Sequence, residues 1–215
     1  WTNRLENKPF STLTYAWLIA ASSWFITSLL RHRAFGSGLA DLGIFTNAIS
    51  NVAREGYPFS SLKDGLSLLA DHQNFLIYPL GWIFPLWPSP TFLLLLQALG
   101  LSSGAIALYL LCRQRVGASH PLLPWTPLAF WFCGPLRSAA RFDFHPEVFM
   151  LPLFLFAAFL LQERARKHRA LGFLLLLLAI AAKESAGPVA CGLGLAWQPF
   201  AGLANRLPGG DGGLQ

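Results

Sequence analysis

Charged side chains are scarce in this sequence. Asp, Glu, Lys and Arg together make up 12% of its 215 residues, whereas a soluble domain carries about 25%. Hydrophobic residues make up 54%, and they are collected in long runs. This balance excludes an ordinary soluble globular domain and indicates a chain that lies in a lipid bilayer.

Cysteine is scarce as well. The chain has Cys112, Cys133 and Cys191, with neither a CxxC spacing nor an even number that would favour a disulfide framework. The formal net charge is +6, but much of the basic excess lies in short clusters beside the apolar runs, as it does in membrane proteins. No basic face is interleaved with aromatic residues, so a nucleic-acid partner is not expected.

Six apolar runs predict membrane-spanning or nearly spanning helices. A crossing helix needs about 17–25 residues, and several of these runs are shorter. The runs are 10–30, 90–112, 121–136, 148–161, 171–182 and 186–200. We therefore expect an all-α, polytopic membrane helical bundle with about six spans. Residues 1–200 would form a single transmembrane domain, and the Gly-rich segment 201–215 would be a disordered tail.

The basic clusters at 112–115 and 162–169 predict the orientation of these spans. If both clusters are cytoplasmic, residues 141–147 and 183–184 lie on the outer side of the membrane, together with the polar loop 31–74. The apolar piece 74–87 is short and contains two prolines. We interpret it as a re-entrant or interfacial helix, because a full crossing there would reverse every later loop.

The first outer loop contains its own helical pattern at 37–56. Leu39, Leu42, Phe45 and Ile49 recur at spacings of three and four residues, and Gly56 is a stop signal. We predict an amphipathic helix that lies on the bilayer surface, with Asp41 in its first turn.

Ionisable side chains gather on the predicted outer face, and they are costly at the edge of the hydrocarbon unless they pair or line a wet cavity. The candidate set is Asp41, His72, Arg141, Asp143, His145, Glu147, Lys183 and Glu184. Ordinary structural roles compete with a site. Asp41 suits the start of a helix, His72 could be an interfacial histidine, and Lys183 with Glu184 could form an internal ion pair. The segment RFDFHPE at 141–147 could be a structural turn, although it places four ionisable groups in seven residues.

Four motifs in order resemble a known family. They are FGSGLADLGIF at 35–45, DHQNFL at 71–76 with Pro79-Leu80 following, RFDFHPE at 141–147 and AKE at 182–184. This series resembles DUF2079, a family of bacterial and archaeal membrane proteins. That family is similar in turn to the C-type glycosyltransferases, which use polyprenyl-phosphate-linked sugars.

The resemblance implies a chemistry for the candidate residues. Asp41 would be the catalytic base, and Arg141 and Lys183 would hold the phosphate of a polyprenyl-phosphate sugar donor. His72, Asp143, His145, Glu147 and Glu184 would complete the substrate-binding wall. Some of them could instead hold Mg²⁺ or Mn²⁺ with Asp41, although their spacing is not a metal signature. The site would face the extracytoplasmic side of a bacterial inner (plasma) membrane.

Two departures from the resemblance leave other functions open. C-type glycosyltransferases have more spans and a soluble C-terminal part, so we expect a shortened relative or one whose missing helices come from a membrane protein partner. The small residues at 187–196 would suit close helix contact in a non-catalytic subunit of a larger complex. A transporter would instead need a continuous polar path between its helices.

Overall fold

The structure is a computed structural model that describes residues 8–192 and residue 194. The described part is mostly helical. Its helices are α1 (Lys8–Arg33), α2 (Ile44–Glu55), α3 (Ile77–Ile83), α4 (Pro90–Val116), α5 (Trp125–Phe132), α6 (Gly134–Arg141), α7 (Met150–Leu161) and α8 (Arg166–Ile180). A further helical segment begins at residue 186. Two short strands, β1 (Phe59–Ser60) and β2 (Leu66–Ser67), pair antiparallel.

Two helices are long and apolar enough to cross a bilayer. They are Ser11–Arg33 within α1, with 23 residues, and α4, with 27 residues. At a rise of about 1.5 Å per residue, each exceeds the roughly 30 Å of hydrocarbon in a membrane. They share a buried cluster that includes Leu13 and Trp24 of α1 and Leu101 of α4, so the two helices pack on each other.

The predicted span 121–136 is not a continuous helix. Residues 117–124 form turns, and the remainder is split into α5 and α6, with eight residues each. The break falls at Cys133, whose ψ is 119°, and Pro135 lies in the first turn of α6. Because proline lacks an N–H and clashes with the preceding turn, it is tolerated at a helix start but not in its interior.

Fewer of the described helices are therefore long enough to cross a membrane than the sequence predicts. Run 148–161 corresponds to α7 and the 3₁₀ turn Pro146–Phe149 before it, which together form an apolar helix of intermediate length. Run 171–182 corresponds to α8, which begins earlier, at Arg166, inside the basic cluster. Residues 193 and 195–200 of run 186–200 and all of the predicted tail 201–215 lie outside the described residues.

The structure has an amphipathic helix within 37–56, and most of its apolar face packs on the protein. Its α-helical part, α2, ends at Gly56, which adopts a left-handed conformation with φ 75°. The apolar face is buried in the protein, where Phe45 and Ile49 pack in one cluster with Ile77 and Leu80 of α3. Helix α3 covers this face because Gly81 allows a close approach: a Cβ there would lie 2.4 Å from Val52 Cγ1.

The short apolar piece after this loop does not cross a membrane by itself. Helix α3 and the 3₁₀ turn Phe84–Leu86 give a helical length of ten residues, or about 15 Å. Trp82 and Leu86 stay exposed at 75% and 82%. A short helix with one face packed on the protein and apolar side chains exposed on the other agrees with the predicted re-entrant or interfacial position.

Three connections meet at one end of the bundle, which we call the polar end. They are residues 34–89 between α1 and α4, residues 142–149 between α6 and α7, and residues 181–185 after α8. Polar contacts join them directly: the Gly38 N–H with Asp143, Lys183 with Glu147, and His72 with Glu184. Arg31, at the end of α1, also pairs with Asp143. The predicted convergence of the polar segments is therefore present.

Candidate functional site

Asp143 is the most deeply buried ionisable group of the polar end, at 2% exposure. Its Oδ1 accepts a hydrogen bond of 2.7 Å from the Arg31 guanidinium, and its Oδ2 accepts one of 2.5 Å from the Gly38 backbone N–H. A buried carboxylate is tolerated when both its charge and its lone pairs are matched in this way. Asp143 therefore connects the end of α1, the loop that follows it and the α6–α7 connection.

Asp41 and His145 form an adjacent pair. Asp41 lies in the π-helical turn Leu39–Gly43 before α2, and its Oδ1 is 3.4 Å from His145 Nε2. The Asp41 carboxylate is 38% exposed, so a ligand can reach it. On the other side of the ring, His145 Nδ1 is 3.0 Å from the Asp143 carbonyl oxygen.

The Asp143 carbonyl defines the tautomer of His145. A carbonyl oxygen only accepts hydrogen bonds, so Nδ1 carries the hydrogen that it donates there. The remaining nitrogen, Nε2, faces Asp41 and either accepts a proton or bears one as an imidazolium. A proton taken up by the pair can therefore reside on the Asp41 carboxylate or on His145.

Aromatic rings fix the plane of His145. Phe142 stacks on the imidazole with a centroid distance of 5.6 Å, and Phe45 of α2 contacts its edge at 5.2 Å. The Arg31 guanidinium lies over the same Phe142 ring, 5.3 Å from its centroid, as a cation–π contact. The alternation of phenylalanine with ionisable residues in RFDFHPE thus orients the charged groups.

Gln97, near the start of α4, supports the pair through hydrogen bonds and is fully buried. Its side-chain amide donates to the carbonyl oxygens of Ala139 and Phe142, at 3.2 and 3.0 Å. Its oxygen accepts a 3.2 Å hydrogen bond from the His145 backbone N–H. Because the last carbonyls of a helix have no partner within it, Gln97 satisfies the end of α6 and positions His145 with one side chain.

Four of the other predicted residues form two separate pairs. Lys183 Nζ is 3.0 Å from Glu147 Oε1, and His72 Nδ1 is 3.0 Å from Glu184 Oε1. The Glu184 carboxylate also accepts from the backbone N–H of Gln73. Among the described residues, no hydrogen bond or ion pair links these two pairs to Asp41, Asp143 or His145.

Hydrogen bonding lowers the pKa of the Glu184 carboxyl below its ordinary value. The bond from its own backbone N–H contributes most, followed by the bond with the His72 side chain. Both bonds favour the charged form of the carboxyl. Glu184 is therefore an anion at neutral pH that joins the connection after α8 to the connection between α1 and α4.

Arg141 lines a cavity of about 470 Å³ with two further arginines, Arg31 and Arg137. Gly134, Ser138 and Phe142 complete its wall. Arg31 is neutralised by Asp143, whereas neither Arg137 nor Arg141 forms an ion pair within the described part of the chain. Lys183, the other predicted phosphate ligand, does not line this cavity.

A divalent cation does not fit this arrangement. No three His, Cys, Asp or Glu side chains of the described residues come close enough together to hold a metal ion. Both oxygens of Asp143 are already occupied, by Arg31 and by the Gly38 N–H. The implied Mg²⁺ or Mn²⁺ thus lacks a ligand set among these residues, and proton transfer at this site does not depend on it.

Three residues that matter to the site were missed by reasoning from the sequence. Arg31 lies at the predicted outer end of the first span, where the positive-inside rule disfavours arginine, and that conflict was a usable signal. Gln97 is a polar side chain inside an apolar span, which is a functional signal in membrane helices. Arg137 lies four residues before Arg141 in the sequence, so both lie on one face of α6.

The described part of the chain is thus a helical bundle with two helices long and apolar enough to cross a membrane, and its ion-paired loops lie together at the polar end. The chain belongs to the family of predicted membrane proteins described as DUF2079, whose model matches residues 31–200. The family assignment made from the four motifs is confirmed. A search of the curated proteins and a search of the solved structures each gave no significant match. The family description states no activity, so an activity like that of the C-type glycosyltransferases is a proposal.

Proposed function

We propose that the protein transfers a glycosyl group from a polyprenyl-phosphate sugar to an acceptor hydroxyl at the extracytoplasmic face of a bacterial plasma membrane. The observation that carries this proposal is the Asp41–His145 pair at the polar end. An accessible carboxylate within 3.4 Å of an imidazole whose other nitrogen is engaged is suited to take a proton from a hydroxyl.

In the proposed reaction the acceptor oxygen attacks the anomeric carbon of the sugar. The bond between that carbon and the phosphate oxygen breaks, and the polyprenyl phosphate leaves with the electron pair. The acceptor proton passes to Asp41, with His145 sharing it through Nε2. The charge that develops on the leaving phosphate requires cationic donors. Arg141, which lines the arginine cavity and precedes His145 by four residues, is the proposed donor.

The two outer pairs have a different place in the proposal. Glu147 with Lys183, and His72 with Glu184, close one wall of the site by joining its loops. Substrate binding by these four residues, as expected from the resemblance, requires their pairs to open. Asp143 acts as a positioning residue in this scheme, because both its carboxylate oxygens and its carbonyl are engaged within the protein.

The test is a transfer assay with purified wild-type protein in proteoliposomes. A panel of radiolabelled polyprenyl-phosphate sugars is supplied, and release of label from the lipid into acceptor or water is measured. Asp41→Asn is compared with Asp64→Asn, because Asp64 is an exposed carboxylate of the same loop in a left-handed conformation that asparagine also adopts.

We expect the wild type to transfer from at least one donor. Loss of a general base typically costs about 10²–10⁴-fold in rate, so Asp41→Asn should lose at least about 100-fold, whereas Asp64→Asn should stay within about twofold. If the folded wild type transfers from no donor, the proposed activity is wrong. A non-catalytic membrane subunit, or a transporter, then becomes the leading interpretation.

A further inference from the structure

A second cavity adjoins the arginine-lined cavity and leads away from it along the bundle. It has a volume of about 370 Å³ and lies between α1 and α5, and Arg137 and Arg141 line both cavities. We call this second cavity the α1–α5 groove. Apart from the two arginines, its wall is mostly apolar and includes Ile19, Leu128 and Phe132.

The length and location of the groove match one leaflet of a bilayer. Its α1 wall runs from Ala16 to Thr27, which is about 16 Å at the helical rise per residue and about half the hydrocarbon thickness of a membrane. Ile19 and Phe132 on its rim are each 71% exposed. Such an exposed apolar wall inside a spanning segment opens toward lipid rather than toward water.

The charges at the head of the groove favour an anion. Arg137 and Arg141 lie one helical turn apart on α6 and therefore repel each other. Both are exposed, and neither pairs with an acidic side chain in residues 8–192. Guanidinium groups suit phosphate because they offer paired donors in a plane. An apolar groove that ends at two unneutralised arginines is complementary to a molecule with a long apolar chain and a phosphate head.

From these features we infer that the α1–α5 groove is a binding site for a phosphate-bearing lipid that enters from the membrane. Arg137 and Arg141 hold its phosphate, and the lipid chain lies along α1 from Thr27 toward Ala16. The identification of this lipid as the sugar donor rests on the proposed function, whereas the binding itself does not. Arg137 thereby gains a role that neither the motifs nor the family description assigns.

The test measures binding of a radiolabelled polyprenyl monophosphate to the full chain in detergent. The corresponding polyprenol tests the phosphate, and inorganic phosphate as a competitor tests the lipid chain. We expect the alcohol to bind at least about tenfold more weakly, and millimolar inorganic phosphate to leave lipid binding within about twofold. Equal binding of the alcohol would overturn the phosphate site. If inorganic phosphate displaced the labelled lipid at the same concentration as unlabelled lipid does, the site would bind free anions instead.

Two sets of variants locate the site. Arg137→Gln with Arg141→Gln should weaken lipid binding at least about tenfold, whereas Arg169→Gln, an exposed arginine of α8, should leave it unchanged. Ser23→Trp places bulk in the groove, and Ser22→Trp places it on the neighbouring surface of α1, because Ser22 does not line the groove. Only Ser23→Trp should weaken binding, by about fivefold or more.

The outcomes separate this inference from the proposed function. If the double arginine variant or Ser23→Trp binds lipid as tightly as the wild type while keeping its unfolding temperature, the site is wrong even if glycosyl transfer is observed. If the wild type binds lipid as expected but transfers no sugar, the site stands and the proposed function is wrong.

Discussion

Replacement of Gln97 by leucine should destabilise the protein strongly, although leucine is the residue type that surrounds it. The change removes the buried amide that connects α4 to the α6–α7 connection. Two backbone groups would lose the partner that the structure gives them, namely the His145 N–H and the Phe142 carbonyl. The Ala139 carbonyl keeps a second donor, the Phe142 backbone N–H.

The expected loss follows from these two groups. A buried backbone group without a partner costs about 1–3 kcal/mol, and both hydrogen bonds here are partly buried, so we take the lower part of that range for each. Hydrogen bonds in membrane helices average about 0.6 kcal/mol. We therefore expect Gln97→Leu to lower the free energy of unfolding by about 2 to 4 kcal/mol. The measurement is equilibrium unfolding in mixed detergent micelles, followed by the fluorescence of the eight tryptophans.

Two further variants sharpen this test. Gln114→Leu removes an exposed bond to Glu163 far along α4 and should stay within about 0.5 kcal/mol of the wild type. Gln97→Glu replaces the amide donor by a carboxylate that faces carbonyl oxygens, so it should destabilise the protein at least as much as Gln97→Leu. A Gln97→Leu protein as stable as the Gln114→Leu protein would refute the positioning role.

Three other changes test the polar end and the packing of α2. Asp143→Asn and Arg31→Gln should each lower the free energy of unfolding by about 1.5 to 3 kcal/mol, because each breaks a charge-assisted hydrogen bond. In the same unfolding assay, the double variant should lose less than the sum of the two single losses. Gly81→Ala should lower the free energy of unfolding by about 1–3 kcal/mol, because the added Cβ forces α3 away from α2. Gly134→Ala should leave the thermal unfolding unchanged, because open space surrounds the added Cβ. Glu184→Gln should lower the free energy of unfolding at neutral pH but not in acid. Because the folded-state pKa of Glu184 is lowered, its contribution is complete above its unfolded pKa of about 4.3 and is lost as pH falls through the folded-state pKa. Paired pH titrations of stability measure this difference.

The sequence predicted the polar end well because its signals are local. The basic clusters and the length of the apolar runs fixed which loops share a side, and the ion pair between Glu147 and Lys183 agrees with that assignment. The helical period of 37–56 predicted α2 and its stop at Gly56. These features depend on neighbouring residues, which a single sequence contains.

The features that the sequence did not predict depend on tertiary contacts. Whether the apolar face of α2 meets lipid or protein depends on α3, whose approach is permitted by one glycine, Gly81. The pairing of Arg31 with Asp143 joins residues 112 positions apart, and no periodicity specifies such a partner. The break at Cys133 was the exception, because Gly134-Pro135 within an apolar run is itself a helix-breaking signal.

The central claim, that Asp41 and His145 act as one proton-accepting unit, is tested most directly by a double-mutant cycle on the transfer rate. The rates of Asp41→Asn, His145→Gln and the double variant are measured with the best donor from the panel. Residues that act as a unit give strongly non-additive losses, so the account predicts that the double variant is about as slow as the slower single variant. Losses that multiply, or a His145→Gln protein that transfers at the wild-type rate, would contradict it.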